Sequence, residues 1–246
     1  MKRFIPFFIV LVLALISIGT AQAQGIDVSK FQGKINWKKV AKSGKVKFVY
    51  IRATEGTSIK DPCYKANVDS ARKAGIKVGS YHVYSSKTTA YQQFDNFKSV
   101  VKKKNQDLIP VLDIEGYHSG RLNMARVDKL LELMEKEYGA RPMIYTSEKV
   151  YKDHFRGNKY SSYHFFIAKY KGTPSVRYTL WQHSKCGKVS GISGAVDLDK
   201  FHSKHSLSDI LLPNRRKKAA EKTSDKADTT QSAKADTTQN DAIKSL

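Results

Sequence analysis

The chain has 246 residues and carries 44 Lys and Arg against 22 Asp and Glu, a formal net charge of +22. A charge of that size draws a protein towards polyanions. Its two cysteines, Cys63 and Cys186, have neither the number nor the spacing of a zinc site; they either pair or stay free, and spacing alone does not decide which.

The first residues, Met1-Lys2-Arg3, are basic. An apolar stretch follows from Phe4 to Ile18, broken by Pro6 and Ser17, and then the small-residue sequence Ala21-Gln22-Ala23. This is the pattern of a secretory signal peptide over residues 1–23. An uncleaved anchor is the alternative, but an apolar stretch of about 15 residues is short of the ~20 that cross a bilayer. No cysteine follows at a lipidation position, and no later segment is long and apolar enough to span. The mature chain is therefore expected outside the cytoplasm: periplasmic, on the cell surface or extracellular, with no integral membrane segment. Residues 24–212 then form one domain of ordinary size, holding 34 basic and 17 acidic residues, a net +17. An exported protein meets little nucleic acid, so an anionic cell-wall polymer or membrane surface suits this charge better.

Strand-like and helix-like stretches alternate from there. Gly25–Ser29 reads as a strand, and Asn36 can cap a short helix over Trp37–Ala41. Val46–Thr54 is rich in β-formers, Tyr64–Ala74 is helical and closed by Gly75, and Lys77–Tyr84 is a third strand. Thr88–Lys104 reads as a helix with Tyr91, Phe94, Phe97, Val100 and Val101 on one stripe. After the stretch around Asp113 comes the clearest helix, opened by Asn123 and ended by Gly139, with Met124, Val127, Leu130, Leu131, Met134 and Tyr138 at helical spacing. Arg141–Ser147 is a strand and Glu148–Phe155 a short helix. Three more strands follow, Tyr163–Tyr170, Arg177–Ser184 and Ala195–Phe201, the last two joined as a hairpin by the Gly-rich segment Gly187–Gly194.

The most informative stretch is Leu108-Ile109-Pro110-Val111-Leu112-Asp113-Ile114-Glu115-Gly116, an apolar run that ends in two carboxylates and is stopped by Gly116. Side chains two apart on a strand share a face, so Asp113 and Glu115 project together while Ile114 turns into packing. Two carboxyls aimed into one space raise each other's pKa, which suits acid/base chemistry; two solvated acids at a strand end are the plainer reading. Repeated βα units imply parallel strands with covering helices, and eight strands suffice to close a barrel. The fold class is thus α/β, an irregular, TIM-barrel-like (β/α)5β3 barrel lacking three helices. Active sites of such barrels lie at the C-terminal strand ends, where Asp27, Tyr81, His82, Asp113, Glu115, Tyr145, Gln182 and Asp197 fall or nearly fall.

The opening Gly25-Ile26-Asp27-Val28-Ser29-Lys30-Phe31-Gln32-Gly33 resembles the signature of glycoside hydrolase family 25, the Chalaropsis-type lysozymes or N-acetylmuramidases. Further matches run in the family's order: Ile51–Gly56, Gly79–His82, Val111–Glu115, Ile144–Thr146, Ala168–Tyr170, Trp181-Gln182 and Gly194–Leu198. The resemblance implies a retaining muramidase that cuts the β-1,4 bond between N-acetylmuramic acid and N-acetylglucosamine in peptidoglycan. By position Glu115 would be the general acid/base. Asp113 would assist the substrate's own 2-acetamido group as nucleophile, a mode that departs from the usual two-carboxylate scheme. Asp27 and Asp197 would be the supporting acids, and Tyr81, His82, Tyr145, Phe166, Tyr170, Trp181 and Gln182 would contact sugar. Phe166 stands where the family has Trp, which keeps an aromatic face and loses an indole N–H donor. No metal or cofactor is implied, and a monomer is expected.

Crowding carboxyls into one pocket supplies a group that holds a proton near working pH, and the remaining anions favour an oxocarbenium-like transition state. Each partner also has a plainer reading: Tyr81 and Tyr145 as core aromatics, His82 as a hydrogen-bonded structural residue, Trp181 as barrel filling, and Asp197-Leu198-Asp199 as a solvated turn. Two rival functions stay open, a chitinase-like hydrolase of N-acetylglucosamine polymers and a non-catalytic wall-binding barrel. The C-terminal segment 213–246 has no aromatic residue and repeats Lys-Ala-Asp-Thr-Thr-Gln at residues 226 and 234. It reads as a disordered polar tail, with a surface-contacting arm as the alternative.

Overall fold

The computed structural model describes residues 24–115 and 122–216. The signal peptide, Gly116 as the stop of the carboxylate strand, and the tail from 217 onward lie outside the described residues. Nine strands and five helices follow in chain order among the described residues: β1 Gln24–Val28, α1 Trp37–Lys42, β2 Val46–Glu55, β3 Ile59–Lys60, α2 Tyr64–Lys73, β4 Lys77–Val83, α3 Ala90–Val100, β5 Val111–Ile114, α4 Met124–Tyr138, β6 Met143–Ser147, α5 Glu148–Val150, β7 Phe165–Ala168, β8 Leu180–Gly187 and β9 Val196–Phe201.

Eight of these strands close a barrel in the order β1-β2-β4-β5-β6-β7-β8-β9, with β9 pairing back onto β1. The strands from β1 round to β8 run parallel, and β9 lies antiparallel between β8 and β1. The short β3, which the sequence pattern does not reveal, is a hairpin arm on β2 outside the ring. The architecture is the expected irregular (β/α)5β3 barrel, with one strand reversed by the β8–β9 hairpin.

Local chemistry sets the helix limits. Asn123 caps α4 by accepting from the Arg126 N–H, and Gly139, at φ 68°, ends it in a left-handed conformation that glycine adopts without steric cost. Val127, Leu130, Leu131, Met134 and Tyr138 form its buried stripe. Thr89 and Gln92 form a reciprocal capping box on α3. That helix stops at Val100 rather than Lys104, because Val101 turns extended and Lys103–Asn105 forms a separate 3-10 turn. Tyr91, expected on its buried stripe, is 58% exposed; the stripe centres on Gln93, Phe94 and Phe97 instead. The strand expected from Leu108 begins regular pairing only at Val111. Pro110 offers no N–H to a ladder, and Leu108 makes an isolated antiparallel bridge to Leu211.

Two cores result. One lies between strands and helices and includes Ile26, Val49, Ile51, Leu112, Ile114 and Ile144. The other fills the barrel with Phe48, Tyr50, Val111, Met143, Phe166, Leu180 and Phe201, plugged at one end by Leu108, Ile210, Leu211 and Leu212. Residues 213–216, read from sequence as the start of the tail, continue that plug as a helical turn. Arg215 ties the turn down by donating to the carbonyls of Gln106 (3.2 Å) and Lys104 (2.9 Å).

The inner rings interlock at close range, Phe48 with Phe201 at 5.2 Å and Tyr145 with Phe166 at 5.0 Å between centroids. Gly25 makes room for Phe48: a Cβ there would lie 2.0 Å from the ring. Gly25→Ala is therefore expected to cost about 1–3 kcal/mol by overpacking. In urea unfolding, Phe48→Leu should recover part of that loss when combined with Gly25→Ala; strictly additive losses would contradict the contact.

Candidate active site

The parallel strands end in a cleft of about 570 Å³ whose walls include Asp27, Asp113, Glu115 and Asp197. Strand alternation brings them there. On β5, Leu112 and Ile114 turn out to the helix layer, whereas Val111 and Asp113 turn inward and Glu115 follows on the same face. Asp113 is buried and Glu115 is exposed at the mouth. Asp27 reaches the cleft from β1 and stands directly across from Asp197 in the antiparallel β1–β9 register.

A single amide organises the centre. Gln182 on β8 is buried and donates its Nε2 to Asp27 Oδ2 at 2.7 Å. Its Oε1 accepts from the hydroxyls of Tyr145 (2.9 Å) and Tyr170 (2.6 Å). Two hydroxyl donors on one side and a carboxyl acceptor on the other fix which end of the amide is which. Phe166 forms the floor beneath Tyr145, at 2% exposure, so it supports the cleft more than it offers a face to it. Tyr81 stands beside Asp27 and Asp113.

Burial dominates the electrostatics. It raises the carboxyl of Asp113 well above the usual range, with the charges of Glu115 and Asp27 adding to it. Asp27 is raised by burial and then by Asp197, against the lowering effect of the Gln182 amide. Asp197, less enclosed, is pushed up to about 6 by burial and by Glu115. Burial also raises the hydroxyls of Tyr81 and Tyr145, so both remain neutral donors.

Two residues expected in the cleft face elsewhere. His82 turns to the helix layer, where Nδ1 meets Thr54 Oγ1 at 2.7 Å, Nε2 meets Gln93 Oε1 at 3.3 Å and the ring packs on Phe97. Burial lowers its pKa to about 4, so it is a neutral structural histidine. Trp181 is on the outer face of β8, donating to the Lys169 carbonyl at 2.6 Å and lying under Lys200 Nζ, 4.2 Å from the ring centroid. Cys63 and Cys186, left open as a pair, are both free.

Four cleft-facing or adjoining residues were not anticipated. Phe31, 76% exposed, lies over the Arg52 guanidinium at 5.2 Å, and Arg52 is held by Asp61 at 3.0 Å. Lys185 is at the rim beside Tyr170. Asp199, read as part of a solvated turn, is completely buried beneath the cleft. Its spacing of two from Asp197 on a strand was the available signal. Among the described residues no group of three or more His, Cys, Asp or Glu is arranged to hold a metal ion.

A β/α barrel with clustered carboxyls at its strand ends, framed by aromatic rings and amide donors, is built as a glycoside hydrolase. The chain belongs to family 25 of the glycosyl hydrolases, whose model matches residues 26–192, and is a glycoside hydrolase of the lysozyme type. It is 36% identical to lysozyme M1 of Streptomyces globisporus over 204 residues, covering 74% of this chain and 69% of that protein. It is 32% identical to the autolytic lysozyme of Clostridium acetobutylicum over 184 residues, covering 72% and 55%. Its fold superposes on the crystal structure of the bacterial lysozyme from Streptomyces coelicolor with a TM-score of 0.69 at 33% identity, covering 80% of this chain and 99% of that one.

Replacing Gln182 with Leu keeps the approximate volume and removes the three bonds that align Asp27, Tyr145 and Tyr170. Loss of that alignment is expected to lower kcat/KM for glycan hydrolysis on the order of 10²-fold. A variant with native melting behaviour and undiminished kcat/KM would show that the amide does not align the site.

Proposed function

We propose that the protein is an exported 1,4-β-N-acetylmuramidase that hydrolyses the bond between N-acetylmuramic acid and N-acetylglucosamine in peptidoglycan with retention of configuration. The observation that carries this reading is the placement of Asp113 and Glu115: adjacent on one face, one buried and one at the cleft mouth. Glu115, open to the cleft, donates its proton to the glycosidic oxygen as the bond to C1 breaks. The acetamido carbonyl oxygen of the same sugar closes on C1 from the other face and forms an oxazolinium ion. Asp113 accepts from the acetamido N–H. Its buried Oδ1 has no hydrogen-bond donor among the described residues, which suits that task. Water then attacks C1, Glu115 takes back a proton, and two inversions give retention.

Charge supports the same sequence of events. Burial and the neighbouring acids favour a proton on Asp113 in the free protein. The acetamido N–H and the positive charge developing on the sugar favour its anion, so Asp113 gives its proton to solvent as substrate binds and the carboxylate is in place when the oxazolinium ion forms. The 1–23 segment directs export, and the basic surface holds the monomeric enzyme to anionic wall polymers. Deleting residues 217–246 and measuring sedimentation with sacculi tests whether the tail contributes to that attachment.

Purified peptidoglycan is the decisive substrate. The mature chain should release reducing ends, with mass analysis showing fragments that terminate in reducing muramic acid. Glu115→Gln should lower that release by about 10²–10⁴-fold. Binding to sacculi without release by either protein would instead support a wall-binding barrel, and release from chitin oligomers alone would support the chitinase-like alternative.

A further inference from the structure

We propose that Asp199 is a positioning residue of this hydrolase, a neutral carboxylic acid buried beneath the cleft that donates its proton to Asp27 and holds that side chain in place. Asp199 lies two residues beyond Asp197 on β9, on the same inward face, and opposite Gly25 of β1 in the register that sets Asp197 against Asp27. It is 0% exposed, and no N–H or O–H donor reaches either of its oxygens among the described residues. The group next to it is another carboxyl, that of Asp27, one step away diagonally in the β1–β9 register and bonded to the same Gln182 that stands opposite Asp199 on β8, and the two carboxyls act on one another.

Two carboxyl groups in such contact need a proton between them, because two facing anions repel and two acceptors cannot bond. The surroundings decide where it sits. Asp27 already receives the Gln182 amide N–H at 2.7 Å, which stabilises its anion. Asp199 receives nothing comparable, and the charges acting on it, Asp27 and Asp197, are both negative. Across β8 it faces the neutral Gln182. From β2 the nearby group is Tyr50, whose hydroxyl is committed to the Ile109 carbonyl at 3.2 Å. On β9 itself Lys200 points to the opposite face, over Trp181. A buried anion with no donor and no cation is strongly disfavoured. Asp199 therefore holds the proton, and Asp27 is fixed by two donors, an amide and an acid.

The proton is testable without any substrate. A carboxyl whose folded pKa lies above its unfolded value near 3.9 contributes stability that is complete below about pH 4 and is lost as pH rises through the folded pKa. Burial and the two flanking acids set that upward direction for Asp199. Asn has the same shape, keeps an N–H donor and does not titrate. The melting temperature of Asp199→Asn minus that of the native chain should therefore increase as pH is raised from 4 to 9. A difference that stays constant across that range would overturn the proposal.

The kinetic arm rests on the hydrolase reading above. Asp199→Asn should keep kcat within about threefold of native, because its amide N–H still donates to Asp27. Asp199→Leu, similar in volume and without a donor, should lose about tenfold or more in kcat with little change in KM. Folded Asp199→Asn that is as impaired as Asp199→Leu would also overturn it. Absence of hydrolysis by the native chain would refute the proposed reaction alone, leaving the stability measurement to decide the proton.

Discussion

Closure of the barrel by a reversed strand is the constraint on which the site depends. Seven strands reach their places through the parallel β/α pattern, but β9 enters between β8 and β1 antiparallel to both. Antiparallel pairing puts residues directly opposite one another, and here it sets Asp27 against Asp197. Like charges in that relation are destabilising. No packing requirement calls for acids at these positions, and Val or Thr would serve a strand better. Retaining both carboxyls, with Asp199 buried just below, sacrifices stability for a local field. The same hairpin brings Gln182 alongside, and its amide offsets part of the repulsion by donating to Asp27.

The inner core explains why this cluster stays at one end of the barrel. Phe48, Tyr50, Phe166 and Phe201 occupy the interior below the acids, and the Leu108–Leu211 bridge seals the opposite end. Carboxyls sunk deeper would meet only aromatic carbon. Placed at the upper boundary of the rings, the aspartates are desolvated enough for burial to raise their carboxyls, yet they still line the open cleft. Asp197, more open than Asp27, shows the gradient, since its carboxyl is pushed only to about 6.

Much of this was legible in the sequence, and the misses share a cause. The alternation that pairs Asp113 with Glu115 also forbids Tyr81 and His82, or Trp181 and Gln182, from facing the same cleft. In each adjacent pair the structure turns one residue inward, Tyr81 and Gln182, and the other outward. Matching a motif by position credits both members; strand geometry permits one. The same rule made Asp199 a companion of Asp197, although a charged triplet in sequence looks like a solvated turn. Phe31 and Arg52 were illegible for a different reason. Their pairing joins a 3-10 turn after β1 to β2, and nothing local in either segment specifies it. The early end of α3 was hidden similarly, because Val101 is apolar and continues the helical pattern while its backbone turns extended.

The basic character of the chain opposes an acidic site at long range, and the cleft shows how the two coexist. Arg52, the cation set deepest in the wall, is neutralised by Asp61 and covered by the Phe31 ring. Lys185 is at the rim, against Tyr170, and lowers Asp197 only as the last of the influences on that carboxyl. Surface lysines beyond about 8–10 Å are screened by salt, so they act on where the protein goes more than on the carboxyls inside it. Long-range charge and short-range chemistry are thereby separated by distance: a basic exterior surrounds a cleft lined by carboxyl groups. That separation requires Asp27 to be held by a neutral donor, and Gln182, itself fixed by the hydroxyls of Tyr145 and Tyr170, donates to it without setting a positive charge against that carboxyl.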